Sequence, residues 1–162
     1  KIHPSAWIAP NATIIGDVEI GAQSNIWFGC VIRGDVKHIR IGERTNIQDN
    51  STVHVTRKIG PTLIGDNVTI GHNALLHACK VESNSFIGMA ATILDDAIIE
   101  TGGWLGAGAL LTSNKIVKKG EIWTGNTARF FRNLHKKEAD FIATSAENYV
   151  NLAKDYRPLT MS

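Results

Sequence analysis

The sequence predicts an all-β solenoid, a parallel β-helix of six-residue repeats followed by one C-terminal α-helix. Aliphatic residues recur at every sixth position through most of the chain, Gly often stands at the next position, and a helical stripe follows where the repeat ends. A period of six fits neither an amphipathic helix nor the two-residue alternation of a strand. It fits a solenoid in which each repeat supplies one short strand and one turn.

The repeat runs as twenty hexads from Ile2 to Trp123, with two insertions and one step of five. The first positions are Ile2, Ile8, Ile14, Ile20, Ile26, Ile32, Ile41, Ile47, Val53, Ile64, Ile70, Leu76, Val81, Ile87, Ile93, Ile99, Leu105, Leu111, Val117 and Trp123. Three hexads would close one coil, with the first positions inside and successive coils about 4.8 Å apart. Each coil then covers the edge of the previous one. A β-sandwich is the alternative, but it has no reason to keep a strict six-residue period.

The chain divides into two predicted segments: the β-helix over residues 1–128 and a helical segment over residues 129–162. In the second segment a stripe of residues recurs at spacings of three and four, as on one face of a helix. The stripe consists of Ile142, Ala146, Tyr149, Ala153 and Tyr156. Pro158 is expected to end the helix. The helix should lie on a side of the solenoid, either in its own subunit or in a neighbour.

Composition excludes several classes of function. The chain has 162 residues, 20% of them charged, with net charge +2 and both signs scattered, which argues against nucleic-acid binding. It has no run of about 18 apolar residues, so neither a membrane span nor a membrane partner is expected. The start of the sequence lacks the apolar run of a signal peptide, which favours a cytoplasmic location. Two cysteines, Cys30 and Cys79, are too few for a disulfide scaffold.

Two histidines occupy equivalent places in the repeat. His54 is position 2 of the ninth hexad and His77 is position 2 of the twelfth, so the two should lie one above the other. Imidazoles on adjacent coils, about 4.8 Å apart, can converge on one metal ion. Arg33 stands one coil earlier in the same column. The alternative is that these histidines are merely exposed to solvent.

A third histidine, His72, is position 3 of the eleventh hexad and should lie near another corner. It could reach an ion held by the histidine pair of a neighbouring subunit if subunits associate around a threefold axis. Three histidines with an open fourth position would suit catalytic zinc. In such an assembly the metal would lie at the subunit interfaces.

Polar residues surround these positions. Asp49 should lie one coil below His72, where its carboxylate could accept the second imidazole N–H. Gln48 and Asn46 flank Asp49 and could orient a bound water. Arg33 and Asp35 are placed to form an ion pair between subunits.

These residues stand in segments that resemble the γ-class carbonic anhydrase family: RGD from Arg33, IGERTNIQDNSTVH from Ile41, and GHNALLHAC from Gly71. The likeness covers nearly the whole chain. It implies a left-handed coil and a homotrimer with zinc or iron(II), held by His54 and His77 of one subunit and His72 of the next. The implied reaction is reversible hydration of CO2 to bicarbonate, with a metal-bound hydroxide as nucleophile.

The resemblance also implies roles for further residues. Gln48 would orient the hydroxide, and Tyr149 matches a tyrosine near the site in many members. The residues that resemble the family's interfacial ion-pair residues are Arg33, Asp35 and Asp49.

The sequence departs from the family at three places. The segment from Val55 to Leu63 has no carboxylate where active members carry an acidic loop for proton transfer. Ala78 stands where a glycine is usual, and Gly125–Arg129 differs from the family's Gly-x-Pro-Ala-Lys. Two alternatives therefore stay open. One is a metal-binding trimer with little or no hydratase activity, and the other, ranked lower, is a coenzyme A-dependent hexapeptide acyltransferase.

Overall fold

A computed structural model describes residues 1–58 and 60–160, so the last two residues of the predicted helical segment lie outside it. The predicted fold is confirmed: about six coils of parallel β-solenoid are followed by one α-helix. The strands are β1 Trp7–Ile8, β2 Thr13–Ile20, β3 Asn25–Ile26, β4 Val31–Ile41, β5 Asn46–Ile47, β6 Thr52–His54, β7 Thr62–Ile64, β8 Thr69–Ile70, β9 Leu75–His77, β10 Lys80–Val81, β11 Phe86–Ile87, β12 Thr92–Ile93, β13 Ile98–Ile99, β14 Trp104–Leu105, β15 Leu110–Leu111, β16 Ile116–Val117, β17 Glu121–Thr124 and β18 Arg129–Asn133. Helix α1 spans Lys136–Tyr156, and a 3-10 turn follows at Pro158–Thr160.

The strands form two sheets that wrap around one core. One sheet has the order β1-β3-β5-β8-β11-β14-β17-β18. The other has the order β15-β12-β9-β6-β4-β7-β10-β13-β16, with β2 paired to β4. Because β4 is eleven residues long and continues past a corner, it joins two sides of the solenoid into one sheet. The named strands pair in parallel except for β18, which runs antiparallel to β17 at the end of the solenoid.

The register between coils is the one that counting in sixes predicts. Ile32 pairs with Val53, Val53 with Leu76, and Leu76 with Ile93. These four side chains are fully buried, as are nearly all other first positions from Ile26 to Val117. The stacked aliphatic residues therefore form one continuous core along the axis.

Position 4 of the hexad forms a corner of the coil that sequence analysis did not use. Its backbone φ lies between +53° and +72° in hexad after hexad, the left-handed region that Gly and Asn adopt most readily. The residues there include Gly29, Asn50, Asn67, Asn73, Asn84, Gly102, Gly108, Asn114 and Gly120. This asparagine and glycine pattern is a second signal for the same repeat. Position 2 has a different reason for glycine: a Cβ added to Gly21 would lie 2.4 Å from the carbonyl oxygen of Gly42 on the next coil.

Helix α1 packs on a side of its own solenoid. Its buried residues are Ile142, Ser145, Ala146, Val150 and Ala153. They largely follow the predicted stripe, although Tyr149 and Tyr156 are only half-buried. At the start of α1, Glu138 accepts hydrogen bonds from the Arg132 guanidinium and from the backbone N–H of His135. These two donors, Arg132 first, lower the pKa of Glu138 to about 2.

An aromatic cluster joins α1 to the first coils. The rings of Trp7 and Trp27 lie 4.8 Å apart, and Tyr149 and Tyr156 lie 5.5 and 5.1 Å from Trp27. Edge-to-face contacts at these distances add to the apolar area that the rings bury. In the part of the chain that the structure describes, no helix has the length and apolar character to cross a membrane.

Ile70→Ala is expected to lower the free energy of unfolding by about 2–4 kcal/mol, because it leaves a cavity in the stacked core. Ile15→Ala is the matched control, since Ile15 is 47% exposed, and it should lower the free energy by less than about 1 kcal/mol. Denaturant titration measures both values. Equal losses in the two variants would contradict the inward placement of the first hexad position.

Candidate metal centre

His54 and His77 stand at the ends of neighbouring strands, β6 and β9, and are direct partners in the parallel register. Their ring centroids lie 5.1 Å apart. Arg33 pairs with His54 one coil earlier. The three side chains thus form one outward column, with their exposed fractions between one-fifth and one-half. Two imidazoles at this separation can share one ion between them.

Asp35 links the first two members of the column. Its Oδ1 accepts a hydrogen bond from Nε2 of His54 at 3.0 Å, and its Oδ2 forms an ion pair with Arg33. The hydrogen bond from His54 and then the Arg33 guanidinium hold the pKa of Asp35 below its usual value. Within one subunit, then, Arg33 and Asp35 pair with each other.

His77 has a carboxylate partner that sequence analysis missed. Nδ1 of His77 donates to Oδ1 of Asp95, which lies on the following coil after β12. This contact fixes the ring and leaves Nε2 of His77 to face outward for a ligand. Counting in sixes could have found Asp95, because it is position 3 of the hexad at Ile93 and therefore lies one coil above the turn that follows His77.

His72 lies in the turn that precedes β9, whereas His77 is the last residue of β9. Nδ1 of His72 lies 2.8 Å from Oδ2 of Asp49, so Nε2 is again the nitrogen left for a ligand. Strand β9 separates the turn that holds His72 from His77 at the far end of that strand. His72 and His77 of one chain therefore lie at opposite corners of one side of the solenoid.

Gln48 and Asn46 begin a line of buried polar groups that runs from the His72 corner to the helix. Nε2 of Gln48 donates to Oδ1 of Asn46 at 3.1 Å, and Nδ2 of Asn46 donates to Oγ1 of Thr69 at 2.9 Å. The Thr69 hydroxyl lies 3.0 Å from Oγ of Ser145 on α1. Asn46 is fully buried and Gln48 is 6% exposed. Asn46 thus lies beneath Gln48 and fixes the orientation of its amide.

Tyr149 of α1 belongs to the same corner. Burial, and secondarily the negative charge of Asp49, raises the pKa of its hydroxyl. Its ring packs on Trp27, so the aromatic cluster holds it in place. The predicted residues, together with Asp95, therefore fall into two groups. We define the column half-site as Arg33, Asp35, His54, His77 and Asp95, and the corner half-site as Asn46, Gln48, Asp49, His72 and Tyr149.

Neither half-site holds three metal-ligating side chains around one point, and the described residues of a single chain contain no such group. The column half-site offers two imidazoles and the corner half-site offers one. Imidazole nitrogens backed by carboxylates suit zinc or iron(II), so the donor types fit a divalent ion. His54 differs from the other two, because binding through its Nε2 requires the Asp35 carboxylate to turn away.

A family model for "Bacterial transferase hexapeptide (six repeats)" matches residues 1–34. "Gamma carbonic anhydrase 1, mitochondrial" of Arabidopsis thaliana is 53% identical over 94% of this chain and 58% of its own length. "Probable carbonic anhydrase" of Methanocaldococcus jannaschii is 44% identical over 94% of this chain and 96% of its own. The solved structure of a "hexapeptide transferase family protein" from Anaplasma phagocytophilum is 50% identical, with TM-score 0.93, and covers 96% of this chain and 91% of that one.

The fold and the two half-sites define a hexapeptide-repeat protein with outward histidines on adjacent coils. This chain belongs to the γ-class carbonic anhydrase family. It spans less than three-fifths of the length of the first two Arabidopsis relatives.

The two cysteines do not contribute ligands in this geometry. Both are buried, and burial raises the pKa of the Cys30 thiol to about 11 and that of the Cys79 thiol to about 12. A metal prefers the thiolate, and these thiols stay protonated near neutral pH. Sγ of Cys30 lies 3.1 Å from the carbonyl oxygen of Gln48, which places it inside the coil.

Native protein is therefore expected to resist modification by a thiol reagent at pH 8, because both thiols are buried and protonated. The measurement is the absorbance of the released chromophore of a disulfide reagent, with protein unfolded in guanidinium as the control that reports both thiols. Rapid release of one equivalent from folded protein would show an accessible thiol and would contradict the burial of both cysteines.

Proposed function

We propose that this protein works as a homotrimer that binds one zinc or iron(II) ion at each subunit interface and catalyses the reversible hydration of CO2 to bicarbonate. In this proposal His54 and His77 of one subunit and His72 of the partner subunit hold the ion. The cytoplasmic location stays a prediction, and the Arabidopsis relatives carry the word mitochondrial in their names.

The observation that carries the proposal is the division of the ligands into two half-sites at opposite corners of one side. A cyclic arrangement of copies places the column half-site of each against the corner half-site of the next. Three histidines and one open position then surround each ion. The outward residues between the two corners support close packing there, since Leu75 of β9 is an exposed aliphatic residue.

The roles of the chain's own residues follow from their contacts. When bound, the ion supplies the Lewis acidity that makes a coordinated water reactive near neutral pH. Gln48 presents an amide that orients the reacting water or CO2, and Asn46 acts as a positioning residue because its carbonyl fixes that amide. Tyr149 lines the site from α1, and Asp49 and Asp95 hold the rings of His72 and His77.

Assembly is expected to rearrange Arg33 and Asp35. In the single chain Asp35 occupies Nε2 of His54, so metal binding through that atom frees the carboxylate. A freed Asp35 and Arg33 can then pair across the interface. A charged side chain that is desolvated on assembly needs an oppositely charged partner, because an unpaired buried charge destabilises the protein strongly.

The proton released by hydration needs a route to solvent. The segment from Val55 to Leu63 has no Asp or Glu, while Arg57 and Lys58 are exposed in it. Without a carboxylate relay, buffer molecules must accept the proton directly, which limits turnover. This observation favours one second candidate, a metal-binding trimer with little hydratase activity.

Mixed trimers test the shared site. A variant with His54→Ala and His77→Ala lacks the column ligands, and His72→Ala lacks the corner ligand. Neither alone is expected to bind metal, because every interface lacks part of the set. Co-assembled from both variants, each mixed trimer contains one interface with all three histidines, and it should bind one ion. Metal analysis of tagged, purified mixtures measures this.

The control for this experiment is His3→Ala, an exposed histidine outside both half-sites, which should keep full metal content. If His72→Ala alone kept full metal content, the ligands would not be shared between subunits. Failure of mixed trimers to regain metal would count equally against the proposal.

Stopped-flow CO2 hydration with zinc- or iron(II)-loaded protein tests the reaction. We expect a rate above the buffer background that rises with buffer concentration, since buffer must carry the proton. Gln48→Ala should lower kcat/KM by about tenfold or more, because it removes a polar group that orients the reacting water or CO2. A rate equal to background in a protein with full metal content would support the second candidate instead.

A further inference from the structure

The last strand of the solenoid exposes two adjacent aromatic side chains. β18 lies at the end of its sheet and pairs only with β17. Phe130 is 51% exposed and Phe131 is 62% exposed, although neighbouring residues of a strand point to opposite faces. Both faces of this edge strand are therefore open to solvent. Exposed phenylalanines in such a pair mark an interaction surface more often than isolated aliphatic residues do.

The same end of the chain is strongly basic. Residues 115–137 contain seven Lys or Arg and a single acidic residue, Glu121, whereas the whole chain has net charge +2. The charges are thus not scattered as the overall composition suggested. Among the described residues only two of the seven cations form ion pairs, Lys118 with Glu100 and Arg132 with Glu138. The other five are exposed: Lys115, Lys119, Arg129, Lys136 and Lys137.

Cations and aromatic rings meet in one depression. A cavity of about 390 Å³ at the end of the solenoid is lined by Lys115, Arg129, Phe130 and Trp123, among others. The guanidinium of Arg132 lies 5.6 Å from the centre of the Phe131 ring. The exposed rings are therefore bordered by positively charged side chains.

We propose that this basic-aromatic end, defined as residues 115–119 and 129–137, docks the protein onto the surface of an anionic lipid bilayer. The phenylalanine rings would enter the interfacial region, and the surrounding Lys and Arg would contact lipid phosphates. Apolar insertion combined with attraction of basic residues to anionic lipid is how peripheral proteins bind membranes without a spanning helix. The sequence-based expectation of no membrane partner rested on the absence of a spanning segment, and this proposal departs from it because a surface contact needs no span.

The charge pattern favours a bilayer over the other occupants of such a surface. A nucleic acid would stack bases on the rings, but Arg132 already covers one face of Phe131. A second copy of the chain could add a strand to the open edge of β18. The arginines at positions 129 and 132 oppose that pairing, because two copies would bring like charges together along the edge.

This surface is independent of the metal centre. The two histidines of the column half-site lie on β6 and β9, and β15 of the last coil follows β9 two coils later in the same sheet, roughly 10 Å along the axis. No residue of either half-site belongs to the basic-aromatic end. The inference therefore stands or falls separately from CO2 hydration.

Vesicle flotation tests the proposal. The metal-loaded, full chain should float with vesicles of phosphatidylcholine that contain about 30 mol% phosphatidylserine, and it should stay unbound with pure phosphatidylcholine. Phe130→Ser with Phe131→Ser should weaken binding by at least about tenfold. Lys115→Glu with Arg129→Glu should abolish it, and high salt should weaken the wild type.

Two matched controls separate local from general effects. Ile15→Ser replaces an exposed apolar residue near the opposite end of the solenoid, and Lys37→Glu with Lys154→Glu changes the net charge by the same amount at exposed sites elsewhere. Both should bind vesicles as the wild type does, and all variants should keep metal content and hydration rate. No flotation of the wild type, flotation unchanged by the phenylalanine substitutions, or tighter binding to a single-stranded oligonucleotide than to vesicles would overturn the proposal. Self-association lost with these same substitutions in lipid-free buffer would also overturn it.

Discussion

The structure depends on one constraint: backbone hydrogen bonds between successive coils hold equivalent hexad positions in register. Each strand is only two or three residues long in most hexads, and none would be stable alone. Stacking supplies both their hydrogen-bond partners and a buried column of aliphatic side chains. Because the coils are locked at the inter-strand spacing, an outward residue has a fixed neighbour above and below it. Any column of side chains on the surface is therefore a direct consequence of the repeat.

Stacking of the coils assembles only part of the candidate metal centre. Stacking brings His54 above His77 and gives His77 a carboxylate from the next coil. It cannot bring His72 to them, since His72 precedes the strand that His77 ends. A solenoid side is stiff, so no loop movement closes that separation. In the proposed function the missing ligand comes from another subunit, and activity is inseparable from assembly.

Helix α1 and the ends of the solenoid provide features that the hexad repeat does not, namely residues added to the His72 corner and an exposed edge strand. The helix covers the aromatic cluster of the first coils and places Tyr149 at the corner of His72, while Ser145 ends the polar line from Gln48. At the far end β18 turns back antiparallel, which covers the open edge of β17 but exposes a new one. The outer edge of β18 has no neighbouring strand and carries two exposed phenylalanines among cations, whereas strands inside the stack are covered on both edges.

Local periodicity alone predicts the solenoid, the register of the coils, the buried column and the pairing of His54 with His77. It also indicated the helix through a stripe of three- and four-residue spacings. The three-dimensional packing was needed to establish which side α1 covers and that Asp35 pairs with Arg33 and His54 inside one chain. It also decided that Asn46 lies buried beneath Gln48. These contacts join residues through side-chain rotamers and corner geometry, which a count of positions along the chain does not encode.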